Sequence, residues 1–156
     1  FGRSTGGEGY VLPVPFIADS AEDGKVLLSQ RTVQHALELA HSTTVAYISI
    51  GELTETSLLR QQEMISTYEL TELRAAGAVG DTNGIFFDVE GHPVDHPLNG
   101  RTIALGFDDL RVANVVVLVA GQSKVDAARA FLKSGIPNGL IVDGDTALQL
   151  LSDGKR

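Results

Sequence analysis

Three short apolar runs constrain this chain more than anything else in it: Val45-Ala46-Tyr47-Ile48-Ser49-Ile50, Val115-Val116-Val117-Leu118-Val119-Ala120 and Gly139-Leu140-Ile141-Val142. Each is uncharged and rich in branched aliphatic residues, and none alternates strictly between apolar and polar, so each predicts a strand buried on both faces. Stretches with helical apolar spacing lie between them. Strands that alternate with helices predict an α/β fold with a mainly parallel, Rossmann-like sheet and flanking helices. Right-handed crossovers then put the turns that follow the strands along one edge, where ligands of such sheets bind.

The helices have their own signals. After Asp19 and Ser20, with Glu22 and Asp23 suited to a first turn, the apolar positions Val26, Leu27, Val33, Leu37 and Ala40 predict a helix broken near its middle. Ser66 and Glu69 form a capping box, Ile65 is placed to staple onto Leu70, and the helix they begin should stop near Gly77. A helix from Ser123 to Ser134, capped by Ser123 and stopped by Gly135, should precede a last one capped by Asp145 and running to Leu151. The remaining extended elements are Tyr10 to Phe16, ending at its prolines, Ile85 to Asp88 with a hairpin around Glu90-Gly91, and Thr102 to Phe107.

No repeat or linker divides the 156 residues, so residues 1–156 are expected to form one domain with one core. The sequence contains no cysteine, which removes disulfides, thiolate nucleophiles and cysteine metal sites. The net charge of -8 works against contact with nucleic acid, which needs clustered Lys and Arg. No apolar run approaches a membrane span and no basic-then-apolar leader is present, so a cytoplasmic location is expected and no membrane partner. The opening at Phe1, followed by the small-residue stretch Gly2 to Gly9, reads as a connection within a longer protein.

Three turns are candidates for chemistry. In Val119-Ala120-Gly121-Gln122-Ser123-Lys124 a buried strand runs through glycine into a helix, and free backbone N–H groups there form a natural anion site. Lys124, a cation in a first helical turn, opposes the helix dipole unless an anion sits nearby. The plainer reading, in which Gly121 only permits the turn and Lys124 points into water, carries equal weight, since one glycine falls short of a phosphate-loop motif. In Gly77-Ala78-Val79-Gly80-Asp81, Gly80 would let a ligand approach and Asp81 would accept hydrogen bonds from hydroxyls; alternatively Asp81 caps the turn Thr82-Asn83-Gly84. Gly51-Glu52 follows a strand at the expected binding edge, where Glu52 could equally be a surface carboxylate. His92 and His96 stand near Asp88 and Asp95, but Pro93 and Pro97 break any regular pairing of the imidazoles, and no metal site or cofactor is expected. No Gly-x-Ser-x-Gly turn announces a nucleophile.

Taken together, Tyr10 to Glu22, Gly77 to Asp81 with Phe86-Phe87-Asp88 and Gly91, Arg101, and Ala120-Gly121 with Lys124 resemble, in order and spacing, the SorC family of bacterial transcription regulators. Its erythritol-catabolism regulators are especially similar at the first of these motifs. The resemblance runs from about Tyr10 to Leu151. It implies an effector domain similar in fold to ribose-phosphate isomerase and glucosamine-phosphate deaminase. That domain binds a sugar phosphate or polyol without catalysis, in a homo-oligomer (dimer or tetramer) whose DNA contact is made by an N-terminal helix-turn-helix absent from this chain. It also implies that Asp81 and Lys124 lie at the ligand cleft, and that the upstream half of the domain, with a glycine-rich phosphate loop, is missing. Two departures from the family pattern, Gly121-Gln122 in place of two glycines and Gly51-Glu52-Leu53 in place of Gly-Ile-Gly, leave an uncharged polyol open beside a phosphate. An isomerase or deaminase with Asp81 as general base and a ligand-free assembly module are the alternatives.

Overall fold

The computed structural model describes residues 4 and 6–152. Phe1, Gly2, Arg3 and Thr5 of the expected connection, and Asp153 to Arg156, lie outside the described residues. Strands β1 (Val45–Ser49), β5 (Asn114–Val119) and β6 (Gly139–Val142) form a parallel sheet in the order β1-β5-β6. A second, antiparallel sheet joins β2 (Gly51–Glu52), β3 (Gly80–Thr82) and β4 (Ile85–Phe87). The helices are α1 (Ala21–Leu28), α2 (Arg31–His41), α3 (Leu58–Gln61), α4 (Thr67–Ala75), α5 (Phe107–Arg111), α6 (Val125–Lys133) and α7 (Gly144–Ser152).

The main core lies on one side of the parallel sheet. Ile48, Val115, Val117 and Val119 face Ala127, Ala128 and Phe131 of α6, with Phe107 of α5 and Leu150 of α7 at the margins. The rings of Phe87, Phe107 and Phe131 pack in tilted and edge-to-face pairs with centroids 5.5 to 6.0 Å apart, which joins β4 of the antiparallel sheet to α5 and α6. A second cluster, Leu53, Leu59, Ile65, Leu70, Leu73, Phe86, Val94 and Leu98, packs α4 against the outer side of β4. Register puts Val45 and Tyr47, Val116 and Leu118, and Ile141 on the opposite face of the parallel sheet. There Tyr47 is 65 % exposed and Ile141 54 %. The expectation of strands buried on both faces therefore fails on one face: among the described residues, α5, α6 and α7 cover only the other.

The break foreseen in the first helix falls between α1 and α2, at Ser29-Gln30. The Ser66 capping box is present, with Ser66 Oγ accepting from Glu69 N–H and Glu69 Oε2 accepting from Ser66 N–H. Two expected strands are absent. Residues 10 to 16 are irregular and only Ile17 bridges Thr102, because Pro13 and Pro15 remove the donors a ladder needs. Beyond Thr102 the chain turns instead into α5, whose first N–H groups find Asp109 Oδ2 accepting from Gly106 N–H at 2.8 Å. Arg101 fastens this region by donating to Ala18 O at 2.7 Å and to Glu69 Oε1 at 3.0 Å.

Candidate functional site

β1 ends at Ser49 and, past the fully buried Ile50, the chain leaves the parallel sheet to pair with β3, Gly51 opposite Asp81 and Glu52 opposite Gly80. Thr82 Oγ1 donates to Ser49 O at 3.0 Å and ties the two strand ends together. Both glycines are required by close approach. A Cβ on Gly51 would run into the Asp81 carboxylate, and one on Gly80 would come within 2.5 Å of Ala127 Cβ and 2.8 Å of Gly51 O. Their clearance therefore serves the walls of the site, letting Asp81 tuck behind β2 and α6 press against β3.

Asp81 is only 8 % exposed. Burial pushes its carboxyl up to about 6, an effect that the Gly84 N–H bond to Oδ2 (3.2 Å) and the Lys124 charge partly offset and the Glu52 charge reinforces. Lys124 Nζ lies 3.9 Å from Glu52 Oε2. These three ionisable groups, with Gly51, Ser57 and Asn83, line a cavity of about 260 Å³. Ser57 stands at the start of α3 in the backbone conformation of a cap but makes no capping bond. Its hydroxyl is 97 % shielded with the rest of the residue and has no partner.

The turn after β5 differs from its expectation. Gly121 has φ +104°, a conformation open to glycine, but its N–H is already spent, donating to Asp143 Oδ2 at 3.1 Å and to Thr146 Oγ1 at 3.0 Å. Thr146 is fully buried and donates its hydroxyl to the same Asp143 oxygen. These bonds hold the Asp143 carboxyl well below the usual range, at about 2. Asp143, accepting from Thr146 N–H at 3.0 Å, caps α7 in place of the expected Asp145. Ser123 is likewise no cap. A 3₁₀ turn, Gln122–Lys124, is inserted before α6, whose start moves to Val125 with Lys124 in the capping position. The anion that Lys124 requires there is supplied by Glu52.

Of the residues singled out in the sequence, Gly51, Glu52, Asp81 and Lys124 line one cavity, Gly80 stands behind its wall, and Gly121 and the exposed Gln122 are outside its lining. Ser57 and Asn83 were missed. Asn83 had a signal in its Asn-Gly turn; Ser57 had none. His92 and His96 face different partners, Asp88 and Glu72, each at 4.0 Å. Among the described residues no group of three or more His, Asp or Glu side chains is placed to hold a metal.

The Sugar-bind family model, a sugar-binding domain, matches residues 1–152. The chain belongs to this sugar-binding domain family. The domain is 40 % identical over 149 residues to the erythritol catabolism regulatory protein EryD of Brucella abortus (strain 2308), covering 96 % of this chain and 47 % of that protein. It thus spans about half the length of the curated regulators it matches. The sugar-binding domain of a transcriptional repressor from Vibrio fischeri superposes with a TM-score of 0.89 at 25 % identity, over 99 % of this chain and 62 % of that one. A SorC family transcriptional regulator from Enterococcus faecalis superposes with a TM-score of 0.76 at 30 % identity, over 97 % and 59 % respectively. The mainly parallel α/β architecture and the regulator resemblance both stand. No helix among the described residues of the domain is long and apolar enough to cross a membrane.

Proposed function

We propose that this sugar-binding domain forms one side of the effector pocket of a cytoplasmic, homo-oligomeric transcription regulator that responds to a small sugar, sugar phosphate or polyol and catalyses nothing. One observation carries this reading: Asp81, a carboxylate kept almost wholly out of water beside a cavity, with a single backbone bond to compensate. Burying an ionised carboxylate costs stability unless it is paired, so such groups cluster where a ligand completes them. Asp81 and Glu52 would accept hydrogen bonds from ligand hydroxyls, and Lys124, Ser57 and Asn83 would complete the shell. Gly51 and Gly80 shape the pocket, while Gly121 and Gln122, outside its lining, belong to the turn that carries Lys124. The remainder of the effector domain and the DNA-reading helices belong to the half of the regulator that the relatives have beyond this stretch. Ligand binding would shift the balance between two subunit arrangements, since a ligand moves an equilibrium only through its differential affinity for the states.

A thermal-shift screen of the protein in its natural length against sugars, sugar phosphates and polyols tests the reading, because a ligand stabilises the state it binds. A compound that raises Tm for the wild type and not for Asp81→Ala supports it; a shift unchanged by that substitution contradicts the site. A second reading, an isomerase or deaminase with Asp81 as general base, draws on the same elevated carboxyl, which lies near the range a base needs. Proton-exchange or turnover of a pentose or hexosamine phosphate, followed by NMR, would favour it over the sensor.

A further inference from the structure

Glu52 stands on a strand too short to hold it. β2 is two residues long, with Gly51 opposite Asp81 and Glu52 opposite Gly80, whereas strands in globular proteins usually run to roughly 3–10 residues. Past Glu52 the ladder ends, and the next fastening is a side chain. Arg74, in the last turn of α4, donates to Leu53 O from Nη2 at 2.7 Å and from Nε at 3.3 Å. Resting on the sensor reading, we propose that Arg74 is a positioning residue of the effector pocket, which fixes the Leu53 carbonyl and through it the carboxylate of Glu52.

The helix itself does not need this side chain. An arginine in a last turn often serves the terminal carbonyls of its own helix, but here the backbone closes them. Ala76 N–H donates to Glu72 O at 2.8 Å, Gly77 N–H to Arg74 O at 3.0 Å and Ala78 N–H to Leu73 O at 3.0 Å, with Gly77 at φ +87°. Arg74 reaches instead to a carbonyl 21 residues back along the chain. The residue lies at the surface, yet both bonds to Leu53 O are partly buried, and a bond from a charged donor is stronger than a neutral one. The Leu53 side chain is buried with Leu59, Leu70 and Leu73, so Leu53 is held at both its side chain and its carbonyl. Glu52 is thus bracketed between Gly51, pressed against the Asp81 carboxylate, and a fixed Leu53, which leaves its Oε2 3.9 Å from Lys124 Nζ. Beyond Leu53 the same stretch of chain carries Ser57 to the cavity.

The test has two arms, both on the natural-length protein. Arg74→Met keeps the aliphatic stem and removes both donors. Without ligand, hydrogen exchange at the amides of Gly51 to Leu53 should quicken by about threefold or more in this variant, while amides inside α4 keep their protection. The second arm is a calorimetric double-mutant cycle with erythritol, ribitol and ribose 5-phosphate as probes. Arg74→Met should weaken the tightest binder of the three by roughly threefold to tenfold in the wild-type background. Beside Glu52→Gln the loss should shrink to less than about twofold, since a residue that acts through Glu52 has no carboxylate left to position. Unchanged exchange at Gly51 to Leu53, or the same loss of affinity in both backgrounds, overturns the proposal. If none of the three compounds binds, the failure belongs to the sensor reading, and the exchange arm still decides whether Arg74 holds Glu52.

Discussion

Asp81 and Asp143 are the same chemical group near the same edge of the fold, and they are treated in opposite ways. Asp143, on the surface, accepts from Gly121 N–H, Thr146 N–H and the Thr146 hydroxyl, and these bonds lower its pKa to about 2. Asp81, buried, accepts one N–H from Gly84 and is raised to about 6. The first is a completed joint between the β5 turn and α7. The second is held at a cost to the fold, which is what a group awaiting a ligand looks like. Both turns were candidates for chemistry in the sequence, the Gly121 turn the stronger of the two, and the hydrogen-bond count reverses that order.

The sharpest way to break this contrast is Asp81→Asn. A carboxyl near 6 in the fold and 3.8 outside it binds more protons folded than unfolded between those values. Stability therefore falls as pH rises from about 4 to about 6, by on the order of 3 kcal/mol. Removing the charge should flatten that window, raise stability at neutral pH and weaken effector binding at least about tenfold; urea midpoints across pH 4 to 8 with parallel titrations check all three. Gly80→Ala comes next. The added methyl has no room between Ala127 and Gly51 O, and should cost roughly 1–3 kcal/mol as overpacking, read from the denaturation midpoint.

The joint around Asp143 should answer more weakly. Thr146→Val keeps the volume but removes the buried hydroxyl that serves Gly121 N–H and Asp143, for a loss of about 1–2 kcal/mol in thermal melts, with effector affinity within about threefold of wild type. Smallest of all is Lys124→Ala. Its partner is 3.9 Å away and both side chains keep some solvent, so stability should change by less than about 1 kcal/mol. A larger loss by denaturation would mean that Lys124 is part of the joint rather than part of the pocket.

What was legible in the sequence was local. The three apolar runs became the parallel strands, Ser66 and Glu69 the capping box, and Glu52, Asp81 and Lys124 the three ionisable groups now found on one cavity. Pairings over distance were not legible. Nothing near Gly51 tells that it will lie opposite Asp81, so its role as clearance for a carboxylate could only be seen in the fold. The same holds for Gly121, whose N–H is claimed by residues 22 and 25 positions away. Ser57 carried no pattern because its interest lies in a bond it does not make. The apolar runs also encoded two buried faces, of which the described residues cover one, so Tyr47 and Ile141 kept a signal this stretch alone does not satisfy.

The central claim is that the ligand meets the Asp81 cavity and not the Gly121 turn. Amide chemical-shift mapping of the natural-length protein with a stabilising sugar or polyol tests it most directly. The account predicts that the largest perturbations fall on Gly51, Glu52, Asp81 to Gly84 and Lys124, with Asp143 to Thr146 little changed; perturbations centred on Gly121, Asp143 and Thr146, with Asp81 silent, would contradict it.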